Sequence, residues 1–406
     1  MEFLKKILDL ENIRQAYLEL AEKFDEKSLT ARYAGVDGLG LNDVKHRAEK
    51  LCQEARKELI GLKSLSPAVC HYIPKKDGSL RDIYVYSVKD RIKAQAVYRV
   101  LEPIFEKSYS PFLFSYRASH PSFYAARSSV RRYQRHYGND FVLIADLKNY
   151  SNYIDQDILT AKLEKIVSEE KLMKILKLFI KNDVYKDKKI YHPKIGIIQG
   201  VPLIALFANI YLNDLDKYLG PKACFYRRVG DDLIAFDPDR KKMEKLYTYL
   251  QQHLKELKLK IKEEKTRLIS DTKSFNFLGY SFHNRLIGLE DEFIKKTITH
   301  WRSSLFSFKP KNKKKYLIWL LYKKENCLRN QLAQVVAQKI LVDDEEQIKA
   351  LSEKFFRLIT IYFYGSYSPR RQKSLKHDLR GIKIPSLYKY YLDIHHGRKK
   401  LSDLFV

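Results

Sequence analysis

Three aspartates stand where a carboxylate can do chemistry. Asp146 closes the wholly apolar run Phe141–Ala145, and Asp231 and Asp232 follow Gly230 between the apolar flanks of Phe225–Phe236. Alone, an Asp after a strand is ordinarily a cap or turn former, and an Asp pair a solvated turn. If the strand and a hairpin carrying the pair share one sheet, the three carboxylates converge. Such a cluster is costly without a cation, and hard oxygen ligands favour Mg²⁺. Two Mg²⁺ ions, about 3.5–4 Å apart, would stabilise the attacking and leaving oxygens of an in-line phosphoryl displacement; Mn²⁺ is the expected substitute. Lys75, Lys76 and Arg81 surround the turn Asp77-Gly78. A basic hairpin there suits a triphosphate, although the same residues also read as an ordinary solvated turn.

The elements that must position these groups follow from the apolar spacing. Tyr72–Tyr86 reads as a hairpin, Lys89–Phe105 as a helix with Pro103 near its end, and Phe141–Ala145 as a buried strand. Ile158–Ile180 reads as one helix, and Leu203–Leu219 as another behind the breakers Gly196, Gly200 and Pro202. A hairpin over Phe225–Phe236, a helix over Lys241–Leu257, an edge strand over Leu257–Ile261 and a β run over Phe275–Phe282 follow. Beyond about Glu290 the pattern is helical. Ile348, Leu351, Phe355, Leu358 and Tyr362 form one stripe behind a cap at Asp343 or Asp344. The expected division is a helical extension over 1–65, a catalytic region over 66–285 and a helical region over 286–406.

The chain has 406 residues, a formal net charge of +28, 45% hydrophobic and 13% aromatic residues. That aromatic content excludes a disordered tail. Cys52, Cys70, Cys224 and Cys327 are too few for a disulfide scaffold and too scattered for a C-x-x-C zinc pattern. Reduced thiols in the cytoplasm are the expectation. The longest apolar region, Ile197–Leu212, is broken by Gln199, Gly200, Pro202 and Asn209, so no membrane span is expected. Charge spread along the whole chain points to a polyanion, with nucleic acid foremost. The basic run Lys309–Lys315 reads as a solvated loop or a contact to a duplex backbone. Trp301, Tyr316 and Trp319 read as core of the C-terminal region.

In this order the segments resemble those of a prokaryotic reverse transcriptase, from the class that includes group II intron, retron and phage-defence enzymes. IPKKDGSLRDIYVYSVKDR (73–91) is similar to the fingers segment, and LEPIFEKSYSPFLFSYR (101–117) to the next element, with Arg117 matching. FVLIADLKNYSNYID (141–155) is similar to the strand of the first catalytic Asp. IGIIQGVPLIALFANIYLNDLD (195–216) resembles the Gln-Gly helix, and RRVGDDLIAF (227–236) the Tyr-x-Asp-Asp hairpin. LKLKIKEEKTRLI (257–269) and FNFLGYSF (275–282) resemble the later Lys-bearing loop and the primer grip. The resemblance implies an α+β right-hand polymerase fold, fingers and palm followed by an α-helical thumb. It implies metal ligation by Asp146, Asp231 and Asp232. It implies nucleotide contact by Lys75, Lys76, Arg81, Arg117, Ser151, Gln199, Gly200 and Lys265.

The implied partners are dNTPs and nucleic acid: an RNA template, a DNA product, or a compact non-coding RNA. A partner defence protein or a homo-oligomer is a further expectation. Departures from the family pattern bear on nucleotide choice. Val229 replaces the usual aromatic of the hairpin, Ile198 the common Pro, Ile204-Ala205 the common Ser-Pro, and Ser151 the aromatic that excludes a 2′-hydroxyl. No zinc-type endonuclease segment follows, and the retron and diversity-generating signatures are missing. That pattern resembles divergent reverse transcriptases of antiphage defence. The alternatives are a group II intron-type mobile-element enzyme and a nucleic-acid-binding scaffold on a degenerate polymerase fold.

Overall fold

The computed structural model describes residues 2–22, 33–40, 42–74, 80–308, 310–323, 327–380, 382 and 384–404. The chain packs into two units, one of residues 1–125 and 141–269, the other of 126–140 and 270–406. Among the described residues no helix is long and apolar enough to cross a membrane.

The first unit holds the strands β1 (Ala68–Pro74), β2 (Leu80–Val85), β3 (Phe141–Asp146), β4 (Val184–Lys186), β5 (Lys189–Tyr191), β6 (Phe225–Val229), β7 (Asp232–Asp237) and β8 (Arg267–Ser270). They form two sheets, in the orders β2-β1-β4-β5 and β6-β7-β3-β8. The expected first hairpin is β1 and β2, antiparallel out to Pro74↔Leu80. Its tip, with Lys75 and Lys76, lies outside the described residues. In the second sheet β3 is apolar on both faces because both are covered; Val142, Leu143 and Ala145 are all buried.

Behind the sheets runs the helix Pro202–Leu219, with Pro202 at its start where a missing N–H costs nothing. Leu203, Leu206, Phe207, Ile210, Tyr211 and Leu212 are buried, so it is apolar nearly all round. The exceptions are Asn209, Asn213 and Asp216, one or two turns apart on one face and themselves buried. Asn209 donates to the Ser115 carbonyl (2.8 Å), and Asn213 accepts from the Ser110 amide (2.8 Å) while donating to the Ser108 carbonyl (2.9 Å). These bonds fix the 108–117 turn against the helix.

Two expectations are corrected. Ile158–Ile180 is not one helix but two, Gln156–Glu164 and Glu170–Ile180. The break lets Glu169 accept from the amides of Phe3 (3.0 Å) and Leu4 (3.1 Å), at the positive end of the helix Glu2–Ile7. The edge strand over Leu257–Ile261 shrinks to a single bridge, Leu147↔Ile261. Lys258 takes the left-handed conformation (φ 54°) and ends the extended run.

The helix Ala48–Ile60 is pinned to the helix Val88–Ser108 by charge. Lys93, 1% exposed, sits 2.6 Å from Glu58 and 2.7 Å from Asp90, and Lys89 and Lys63 also reach Glu58. Burial alone would raise the Glu58 carboxyl, but the bonds from Lys89 and Lys93 overcome it and hold it at about 2. A depressed carboxyl contributes stability above its unfolded value and loses it as pH falls toward the folded one. Relative to Glu58→Gln, the parent is therefore expected to gain about 3 kcal/mol near pH 6 and less than half of that near pH 3. Urea midpoints at the two pH values check this; an equal gap at both would remove Glu58 from the account.

The second unit holds β9 (Phe275–Phe277), β10 (Tyr280–His283) and β11 (Leu286–Leu289), ordered β11-β10-β9. Phe275 and Phe282 stack across the strands (4.6 Å between ring centroids), and Tyr133 packs edge-on to both. The rest is helical. Asp344 caps Glu345–Tyr364, as one of the two expected caps, and Phe355 of that helix packs on the buried Trp301 (5.0 Å). Trp301 is core as expected, but Trp319 is not. It remains 41% exposed, because the segment Trp319–Lys323 is π-helical and buries Leu320 and Leu321 instead.

Candidate active site

The register of the second sheet brings the acids together. β3 pairs antiparallel with β7 so that Asp146 lies directly opposite Asp232, while β6 and β7 meet at Val229↔Asp232 and leave Gly230-Asp231 as the turn. Gly230 has φ +64°, and a Cβ there would meet open space. Its requirement is therefore the left-handed backbone rather than clearance. The amide of Leu147 donates to the Asp231 carbonyl (3.1 Å), which ties the hairpin tip to the residue after Asp146.

Asp146 is buried, and Asp231 and Asp232 are half-buried. Burial, and then the carboxylates of Asp231 and Asp146, push the Asp232 carboxyl up to about 6 against the pull of Lys265 and Lys262. Lys262 donates to Asp146 Oδ1 (2.6 Å) and Lys265 to Oδ2 (2.8 Å). The backbone places them: Lys148 donates to the Lys260 carbonyl and Lys262 to the Asp146 carbonyl, both 2.8 Å, alongside the Leu147↔Ile261 bridge. Lys265 was expected at the site, and Lys262 was not. The alternation of Leu259–Lys262 is the signal that carries it, since in an extended segment it puts Lys260 and Lys262 on one side.

Among the described residues, no group of three His, Cys, Asp or Glu side chains meets closely enough to enclose a metal ion. The donor chemistry nevertheless fits a divalent cation. All the candidate ligands are hard oxygens, and burial together with the Asp231 and Asp146 carboxylates disfavours the ionised Asp232, a cost that a cation would offset.

The remaining expected residues fall into different places. Gln199 donates to the Ser151 hydroxyl, joining the segment before the helix Pro202–Leu219 to the turn after β3. Gly200 has φ +133°, and a Cβ there would lie 2.5 Å from the Tyr84 carbonyl of β2, so no side chain fits. Beside Ser151, Tyr150 is buried and its hydroxyl donates to the Ala208 carbonyl. Arg81 is exposed on β2, next to the undescribed tip. Arg117 is 8% exposed, its guanidinium forks onto Glu106 and donates to the carbonyls of Ser110 (2.8 Å) and Leu113 (2.9 Å), and these bonds lock its own turn.

Beneath the hairpin lies a group with no counterpart among the expected residues. Arg228 of β6 pairs with Asp216 (2.8 and 2.6 Å), receives company there from the Tyr226 hydroxyl (2.9 Å to Asp216), and donates to the Gly230 carbonyl (2.8 Å). An Asp in the apolar helix and an Arg in a strand of alternating burial are the signals that point to such a pair.

The sequence model of the family described as reverse transcriptase (RNA-dependent DNA polymerase) matches residues 73–282. YkfC of Escherichia coli (strain K12) is 27% identical over 215 residues, covering 50% of this chain and 54% of that protein. The putative COX1/OXI3 intron 2 protein of Saccharomyces cerevisiae is 26% identical over 220 residues, 54% of this chain and 25% of that protein. The group II intron-encoded protein LtrA of Lactococcus lactis subsp. cremoris is 23% identical over 199 residues, 49% of this chain and 32% of that protein. The chain thus spans about half the length of YkfC and less of the others. Telomerase from Candida albicans, in complex with a fragment of telomeric RNA, aligns at a TM-score of 0.47 and 15% identity, over 90% of this chain and 65% of that one. With its Asp strand and Gly-Asp-Asp hairpin inside the matched region and its α+β architecture that of the right-hand polymerases, the chain belongs to the reverse transcriptase family.

Proposed function

We propose that the chain is an RNA-directed DNA polymerase that adds dNTPs by two-metal phosphoryl transfer and serves bacterial antiphage defence in the cytoplasm. The observation that carries the catalytic reading is the pairing of Asp146 with Asp232 beside the Gly230-Asp231 turn. Asp146, Asp231 and Asp232 would hold Mg²⁺ or Mn²⁺, which supplies Lewis-acid stabilisation of the oxygens in flight. Lys262 and Lys265 hold Asp146 in place and neutralise it. In this reading Lys75, Lys76 and Arg81 bind the triphosphate, and Gln199 and Gly200 shape the pocket for base and sugar. Residues 66–285 form fingers and palm, and 286–406 the thumb. Nucleic acid is the partner, with a non-coding RNA, a second defence protein or another copy of the chain as further components. Primer extension on an RNA template with dNTPs and Mg²⁺ tests this. Extension on RNA is expected, and a folded, nucleic-acid-free preparation inert on both RNA and DNA templates would end the reading.

Sugar choice follows from Ser151. Its side chain is small where the family carries an aromatic, and Gln199 donates to its hydroxyl. Ser151→Phe is expected to raise the preference for dNTP over rNTP about tenfold, the scale of a steric change in a pocket. Paired incorporation assays on parent and variant measure it, and an unchanged ratio would place sugar selection elsewhere.

A mobile-element reading is favoured by the intron-encoded proteins among the relatives. Intron RNA domains beside the coding sequence would support it, and an adjacent defence gene would support the first.

A further inference from the structure

In the second unit, large aromatic side chains lie on the surface in contact with one another. Phe308 is 61% exposed and Trp319 41%, and Tyr316 sits between them. The ring centroids are 5.6 Å apart from Phe308 to Tyr316 and 5.5 Å from Tyr316 to Trp319, the latter pair stacked at 26°. Phe306, 43% exposed, packs edge-on to Tyr362 (5.7 Å), which is itself buried and lies 6.4 Å from Tyr316. Single exposed apolar side chains need no explanation, but a contiguous row does. The same unit shows where a core tryptophan goes: Trp301 is 1% exposed against Phe355.

The local backbone turns this row outward. Asn312 caps the short helix Lys313–Ile318, and the π-helical segment that follows begins at Trp319. Widened helical turns of this kind are frequent at functional sites. Four lysines lie beside the row, Lys311, Lys313, Lys314 and Lys315. Lys313 and Lys314 donate to the carbonyls of Phe363 (3.1 Å) and Asp378 (3.0 Å), at the ends of two other helices, and so hold the segment in place. Lys311 and Lys315 are exposed and make no ion pair among the described residues, and Lys315 lies one turn before Trp319. Of the basic run read as a solvated loop or a contact to a duplex backbone, Lys313 and Lys314 thus act as tethers, while Lys311 and Lys315 present their charge outward.

We propose that this row is a stacking platform for an unpaired nucleic-acid strand, whose bases lie on Trp319 and Phe308 and whose phosphates meet Lys311 and Lys315. Rings exposed on their faces accept bases of any sequence, and lysines alongside track the backbone. A duplex keeps its bases stacked internally and offers the rings nothing, so the platform discriminates by strandedness. The inference requires nucleic-acid binding but not polymerisation, and it is tested without metal or nucleotide so that it stands or falls separately from catalysis.

The chain has two tryptophans, and only Trp319 is exposed, so its emission reports the platform. The full chain is titrated with dT12 or U12, with a 12-base-pair duplex, and with inorganic polyphosphate. The single strands are expected to quench the emission and polyphosphate to leave it unchanged. Trp319→Ala with Phe308→Ala is expected to weaken single-strand binding about ten- to a hundredfold while duplex affinity moves less than about twofold. Trp319→Phe is expected to restore most of the loss, which a merely structural role would not predict. Equal binding of dT12 by parent and double variant, or an equal loss on duplex, would overturn the proposal.

Discussion

Asp231→Asn is expected to lower nucleotide incorporation at least about a thousandfold, about 4 kcal/mol on the barrier, while leaving the thermal transition in place. The substitution keeps the shape of the side chain and removes its charge. Asp231 makes no ion pair among the described residues, and the bond that ties its position to Leu147 comes from its backbone carbonyl, which the variant retains. The loss is therefore one of chemistry and not of fold. Asp146→Asn is expected to be equally inactive but harder to read, because it also removes the carboxylate to which Lys262 and Lys265 donate. Comparing the two by single-nucleotide incorporation and by thermal melting separates the roles. A folded Asp231→Asn protein that extends a primer at the parental rate would end the assignment of this turn as the catalytic hairpin.

Much of this site was legible because its signals are local. A wholly apolar run that stops at Asp146 and a hairpin punctuated by Gly230 are decided within a few residues, and both appear where the pattern puts them. What escaped was decided by packing and pairing that residue type and local pattern do not reveal. Arg117 lies in a segment similar to a nucleotide-contacting one, yet Glu106 and two carbonyls claim it; nothing in its immediate neighbours says so. The break at Lys165–Glu169 serves amides more than 160 residues away, at Phe3 and Leu4. Trp319 misleads because its type suggests core, whereas its neighbours Leu320 and Leu321 take the buried positions. Lys262 falls between the cases: the alternation was visible, but its pairing with Asp146 depends on Ile261 bridging to Leu147.

The second large effect is expected at Arg228. The side chain is 1% exposed and Asp216 0%, so the pair is cut off from water. Desolvation works against both charges, and they persist because each satisfies the other through two short bonds, with the Tyr226 hydroxyl taking a further share of the carboxylate. Arg228→Met removes the cation and strands the Asp216 carboxylate in the core. Breaking a buried pair in this way costs about 3–5 kcal/mol. The cost is specific to leaving a charge behind, so Arg228→Met combined with Asp216→Leu is expected to recover most of the stability, measured as urea unfolding free energy. It should not recover activity. Arg228 also donates to the Gly230 carbonyl, and no Met or Leu replaces that bond at the turn that carries Asp231. Arg228→Lys keeps a charge but cannot span Asp216 and Gly230 at once, because an ammonium lacks the planar fork. It is expected to fall between parent and Arg228→Met in stability and to lose turnover in the folded protein. A double variant no more stable than Arg228→Met, or a stable double variant with parental turnover, would separate the buried pair from the positioning of the hairpin.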